Sequence, residues 1–249
     1  EYAVQALEAG YHVFCEKPLA RSMEDASKIT EAARRTGRFV AVGQCLRFWP
    51  AYTEAKKIIE SGTYGAVRHA EFARYSPPAT WAIDNWLAES KKSGNAALDL
   101  HVHDVDMIVF LFGKPTSLRS VGIPDGAGSF SHISTVYSYP DKSVLSTGGW
   151  AFPPSYPFNM IARWVMEKGA MELDFSRESV LTLYPESGEP KPVPLPPGDG
   201  YFHELQDFVT RVETGKAPDV VSADNAAASL EVTLLEIESA RTGKEVSLA

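Results

Sequence analysis

Between Asp99 and Asp106 the run Asp99-Leu100-His101-Val102-His103-Asp104-Val105-Asp106 sets three acids and two imidazoles directly ahead of the apolar segment Met107 to Phe112. Titratable groups beside a segment that reads as buried are costly unless they are paired, hold a metal or do chemistry. If the run is helical, Asp99 and His103 lie four residues apart on one face and His101 points elsewhere. If it is a strand, Asp99, His101 and His103 share a face. The helical geometry offers a histidine general acid/base with a carboxylate to orient it or the substrate, or simply a carboxylate holding a core imidazole. A second candidate is Glu16-Lys17-Pro18, a charged pair that ends the apolar run Tyr11 to Cys15. The carboxyl ends of buried strands are where open α/β sheets gather ligands, and a lysine there can hold a hydroxyl or shift a neighbour's pKa.

The elements that must carry these groups can be read in order. Glu1 to Ala9 has helical spacing with Gly10 as its stop, and Tyr11 to Cys15 is a short strand. Ser22 caps a helix whose inward face is Ala26, Ile29 and Ala33, Gly37 closes it, and Phe39 to Cys45 is a second buried strand. Helix, strand, helix, strand with short loops is the signature of a parallel, doubly wound sheet. Two strands are only part of such a sheet, so the sequence is expected to open within a domain, with the remainder upstream of Glu1. Pro50 starts a helix ending at Ser61-Gly62, and a strand runs from about Gly65 to Tyr75. Residues 115 to 195 read mainly as strands. One hairpin is expected about Pro140-Asp141 and another about Glu167-Lys168-Gly169, followed by an extended proline-rich stretch, 190 to 197. Gly122 to Gly128 reads as a loop, without the spacing of a phosphate cradle. Two helices finish the chain, one bearing Leu205, Phe208 and Val212 and the other Leu230, Leu234 and Ile237. The expected fold class is thus α/β plus α+β, with part of a doubly wound, parallel-sheet unit over 1–47 and an α+β unit with a large, mainly antiparallel sheet over 48–249.

Composition narrows the partners. With 249 residues, 44% hydrophobic and 22% charged, the chain is an ordinary globular one, and its net charge of −8 argues against nucleic acid or an anionic membrane. Cys15 and Cys45 both sit in apolar runs and are expected as free thiols in a reducing compartment, so cytoplasmic is the default. No apolar run reaches membrane-span length.

Taken together, His12-Val13-Phe14-Cys15-Glu16-Lys17-Pro18-Leu19-Ala20, then Val42-Gly43 with Arg47-Phe48 and Pro50, then Gly94 to Asp106, resemble the glucose-fructose oxidoreductase and inositol dehydrogenase (Gfo/Idh/MocA) family over essentially the whole chain. The resemblance implies an NAD(P)-dependent oxidoreductase that moves a hydride between a nicotinamide cofactor and a sugar, polyol or related compound. It implies Lys17, Asp99 and His103 as the catalytic group, and therefore the helical geometry. Lys17 would contact substrate and cofactor ribose, Asp99 would position substrate and His103 would move the hydroxyl proton. It further implies a cis Lys17-Pro18 bond, cofactor contacts from Glu16, Lys17, Pro18, Arg47 and Trp86, and a homodimer or homotetramer through the sheet. Trp86-Leu87 stands where relatives commonly carry Trp-Arg. His101, where many relatives have a small residue, and Tyr75 are expected to shape the substrate pocket. Because the Gly-x-Gly-x-x-Gly turn and the residue that selects NAD or NADP would precede Glu1, this chain alone is expected to bind the cofactor poorly and to be inactive; tight NADH binding would refute that. Two rivals are a non-catalytic sugar- or partner-binding member of the same fold, and a metal hydrolase. The second rests on a likeness of Asp99 to Asp104 to the His-x-His motif of amidohydrolases, with His101 and His103 as ligands. The only later histidines, His132 and His203, are too few to complete such a site, and no metal is expected.

Overall fold

The computed structural model describes residues 1–248. It opens with helix α1 (Tyr2–Glu8), strand β1 (Val13–Cys15), helix α2 (Met23–Thr36) and strand β2 (Val40–Val42). The strands pair in parallel, Val13 opposite Val40 and Cys15 opposite Val42. Ser22 caps α2 as expected, accepting a bond from the Asp25 amide, and Gly37 closes it in the left-handed region. Both strands are shorter than their apolar runs suggest. Tyr11 is exposed, and after Gly43 the chain turns into a 3-10 segment, Cys45–Phe48, instead of extending to Cys45.

Pro50 occupies the first turn of α3 (Pro50–Glu60), which leads into β3 (Val67–Tyr75). A short helix α4 (Ser90–Ser93) precedes the acid- and histidine-rich run. That run is helical, but not uniformly α. A π turn spans Ala97–His101 and passes directly into α5 (Val102–Phe112). Single π turns inside α-helices occur frequently at functional sites, because the wider turn re-aims the side chains around it.

Strands β4 (Ser117–Pro124), β5 (Phe130–Ser138), β6 (Ser143–Gly149), β7 (Asn159–Met166), β8 (Gly169–Asp174), β9 (Leu181–Pro185) and β10 (Lys191–Pro192) follow, then helices α6 (Gly200–Thr214) and α7 (Ala223–Thr242) and a terminal strand β11 (Val246–Ser247). Both expected hairpins form, β5–β6 and β7–β8. Gly122 to Gly128 is not all loop: β4 continues through Pro124, and the Asp125 carboxylate then organises the turn by accepting the Ala127 and Ser129 amides. The same carboxylate accepts from Asn95 at 2.8 Å, and Ser129 Oγ donates to the Gly94 carbonyl, which ties the start of the π turn to the sheet. The nine-stranded sheet has the order β10-β9-β8-β7-β3-β6-β5-β4-β11, antiparallel throughout except for the parallel pair β3–β6.

One face of this sheet is covered by helices. Phe72, Trp164, Ala162 and Leu118 pack there against Val105, Ile108 and Val232. The other face carries the exposed Val121, Val136 and Val165 among an ion ladder of Glu71, Arg163 and Glu172. Helix α7 reaches into both cores: Ala226 and Leu230 join Leu7, Ile29 and Val42 of the N-terminal layers, while Val232 joins the sheet core. Its small and hydroxyl residues suit that position, since a helix buried on most sides needs close approach. Among the described residues, no helix is long and apolar enough to cross a membrane.

Candidate active site

Lys17 follows the carboxyl end of β1, and its peptide with Pro18 is cis. Its ammonium donates to Asp99 Oδ1 at 3.0 Å and to the Asp99 carbonyl at 2.7 Å, joining residues 82 apart in sequence. The two side chains keep 15% and 17% of their exposure, so the ion pair is sheltered but reachable. His103 lies on the same face as Asp99, and both line one cavity of about 490 Å³ together with Glu16 and Lys17. Sheet and loop residues close it with Arg74, Trp81, Trp86, Trp150 and Phe158. Cavities of this size, mainly apolar with a few convergent polar groups, are the usual form of a small-molecule site.

The electrostatics suit acid/base chemistry. His103 is buried, and its pKa is held well below the usual 6.5, first by desolvation and then by the Lys17 and Arg74 cations. It is therefore neutral at pH 7 and free to accept a proton. Its Nδ1 is enclosed without a hydrogen-bond partner. Arg74, from β3, points into the same space but is held by a two-pronged bond to Asp104, Nη2–Oδ1 at 2.8 Å and Nε–Oδ2 at 3.1 Å, with both groups buried. Cys45 is in the wall as a free thiol, and burial pushes its pKa up to about 12, which removes it as a nucleophile at neutral pH. Cys15, the other free thiol, is half-buried.

Some of the residues singled out in the sequence line the cavity and others do not. Glu16, Lys17, Trp86, Asp99 and His103 converge on the cavity, whereas Pro18 does not line it. Arg47 does not line this cavity. Its guanidinium bonds both oxygens of Asp106 at 2.7 Å, donates to the Val220 carbonyl and lies over the Phe110 ring. Tyr75 is turned away because neighbours along a strand alternate faces: Arg74 takes the cavity, and Tyr75 packs on His132, Phe152 and Tyr156. His101 is fully buried on the far side of the turn, with Nε2 3.5 Å from Glu236 Oε2. Two residues along a helical turn rotate a side chain to nearly the opposite face, so His101 shapes the core and not the pocket. For the same reason His101 and His103 do not aim at one point, which removes the geometric basis of the His-x-His hydrolase reading. Among the described residues, no group of three or more His, Cys, Asp or Glu side chains is placed to hold a metal ion.

Sequence reading missed Arg74 and Glu204. An arginine directly after Phe72-Ala73, in the buried part of β3, was the available signal for the first. Glu204, on α6, is 3% exposed with Oε2 unpartnered, and burial followed by Glu16 and Asp199 pushes its carboxyl up to about 8. The folded carboxyl holds its proton longer than the unfolded one, whose value is 4.5. This group's stabilising contribution is therefore complete below pH 4.5 and lost as pH rises through about 8. Glu204→Gln, which keeps the shape without the charge, is expected to exceed wild type in stability by about 1–3 kcal/mol above pH 8. Urea unfolding on either side of neutrality checks this, and a wild-type stability that holds level across that range would refute it.

Two family profiles match the chain: "Oxidoreductase family, NAD-binding Rossmann fold" over residues 1–44, and "GFO/IDH/MocA C-terminal domain" over residues 52–166. The chain belongs to the Gfo/Idh/MocA oxidoreductase family. Among family relatives, scyllo-inositol 2-dehydrogenase (NAD(+)) of Bacillus subtilis is 28% identical over 98% of this chain and 73% of its own length. The 1,5-anhydro-D-fructose reductase of Ensifer adhaerens is 26% identical over 100% of this chain and 76% of its own. The Gfo/Idh/MocA fold is also that of an aldose-aldose oxidoreductase from Caulobacter crescentus, solved with glycerol, with a TM-score of 0.85 at 22% identity over 99% of this chain and 75% of that one.

Proposed function

We propose that the full-length protein to which these residues belong catalyses NAD(P)-dependent interconversion of a hydroxyl and a carbonyl on a sugar, cyclitol or related polyol, with His103 as general acid/base and Lys17 and Asp99 as its partners. The observation that carries the reading is the convergence of these three side chains on one cavity at the end of a Rossmann-type strand, with the imidazole neutral. The residues present suit a nicotinamide: Gly43 lines the cavity beside Glu16 and Lys17 at the strand ends, and a side chain there would meet the Glu16 carboxylate at 3.3 Å. When bound, the nicotinamide supplies the hydride acceptor or donor. His103 takes the hydroxyl proton as the C–H bond is oxidised, and returns it in the reverse direction. The Lys17 ammonium, fixed by Asp99, steadies the oxygen on which negative charge develops. Asp99 sets both the lysine and a neighbouring substrate hydroxyl. The names of the relatives, an inositol dehydrogenase and an anhydrofructose reductase, support the substrate class.

In this reading residues 1–47 belong to the dinucleotide-binding unit and 48–249 to the substrate-binding and assembly unit, with α7 lying across both cores. Lys17→Ala is expected to lower kcat for cyclitol oxidation by about 100-fold or more, since it removes a donor aimed at a developing charge. Nicotinamide absorbance follows the reaction; a variant rate equal to that of an active wild type would remove Lys17 from the chemistry, and no turnover by the wild type would favour the binding-only reading. The exposed valines on the open sheet face are proposed to pack against a second copy, giving a homodimer or homotetramer. A monomeric sedimentation profile at micromolar concentration would overturn this.

A further inference from the structure

The cavity holds cations, yet none of them is free. Lys17 spends two of its three N–H donors on Asp99, and Arg74 is neutralised by the buried Asp104. Beyond these two, the charged groups on the wall are the acids Glu16 and Asp99. An anionic substituent entering this space would be desolvated without a counter-charge and would meet Glu16 at one end. The rest of the wall is mainly apolar, and Trp81, Trp86, Trp150 and Phe158 supply aromatic surface that suits C–H groups and offers nothing to an anion.

Resting on the hydride-transfer reading, we infer that the substrate is an uncharged ring, a cyclitol or pyranose without phosphate, carboxylate or nucleotide. Its hydroxyl edge faces Lys17, Asp99 and His103, and its apolar face lies on the tryptophan wall. Specificity against charged analogues then comes from Asp99 and Asp104, which neutralise Lys17 and Arg74 and leave only the remaining Lys17 N–H for the reacting oxygen. This is discrimination by an unfavourable environment for the wrong ligand more than by contacts to the right one.

The test uses the full-length protein with a matched set of ligands: an uncharged pyranose or inositol, the corresponding uronate and the corresponding sugar phosphate. Tryptophan fluorescence reads binding directly, and nicotinamide absorbance reads turnover separately. The neutral ring is expected to perturb the fluorescence and to be oxidised, with the uronate and the phosphate at least about 100-fold weaker in affinity and in kcat/KM. A charged analogue that binds or reacts within about tenfold of the neutral ring overturns the inference while leaving the dehydrogenase reading intact. Neutral-selective binding with no hydride transfer from any ligand overturns the dehydrogenase reading and keeps the inference of an uncharged ligand. Fluorescence unmoved by every ligand overturns the inference. Asp104→Asn releases the Arg74 guanidinium beside the cavity and is expected to narrow the neutral-to-charged gap by about tenfold, while an unchanged gap in the folded variant refutes the charge assignment. Should that variant fail to fold, the wild-type ligand comparison still decides.

Discussion

His103→Ala is expected to lower kcat by about 10²–10⁴-fold, the range over which a positioned acid/base side chain contributes, with a much smaller change in KM. The imidazole is neutral at pH 7 because burial and two nearby cations oppose its protonation, so the wild-type rate should stay level well into mildly acidic pH before falling. In the alanine variant that acidic limb should vanish along with most of the rate. Steady-state rates against pH, followed through nicotinamide absorbance, check both statements together. A variant within a few-fold of wild type would remove His103 from the chemistry. The same burial acts on stability. The unfolded chain takes up the His103 proton near pH 6.5 and the folded chain only at lower pH, so stability from this group is full above pH 6.5 and falls as pH drops. The alanine variant should therefore lose less stability than wild type on mild acidification.

Asp106→Ala is expected to destabilise the fold by about 3–5 kcal/mol, because it leaves the Arg47 guanidinium buried without its partner. The pair is nearly sealed, at 2% and 1% exposure, with both Asp106 oxygens on Arg47 and Ser229 Oγ adding a bond at 2.7 Å from α7. One carboxylate thus joins the 3-10 segment after β2, helix α5 and helix α7. Replacing both partners together, Arg47→Met with Asp106→Leu, should recover much of the loss, since an apolar pair carries no desolvation penalty. Urea unfolding of the two variants beside wild type measures this. A loss under about 1 kcal/mol in Asp106→Ala would show that water or another group replaces the carboxylate. If Arg47 served the cofactor instead, Asp106→Ala would alter nicotinamide affinity and leave stability nearly untouched.

Patterns that depend on near neighbours were legible in the residues themselves. Apolar spacing placed α2, α3, α6 and α7, Ser22 and Gly37 bounded α2, and Pro140-Asp141 and Glu167-Lys168-Gly169 marked the hairpins. The four-residue interval between Asp99 and His103 became one face as soon as the run was helical. The family resemblance was carried by short contiguous motifs, and it is the family whose profiles match. What tertiary structure alone decided is which acid answers which base. Asp99, Asp104 and Asp106 sit within eight positions, yet they engage Lys17, Arg74 and Arg47, at separations of 82, 30 and 59 residues. Nothing local distinguishes a carboxylate that will face a cavity from one that will neutralise a buried guanidinium. The facing of Arg74 over Tyr75, and of His103 over His101, depends on how the sheet and the π turn are rotated against their neighbours. That rotation is set by packing of whole elements, to which each residue's own type contributes only a small part.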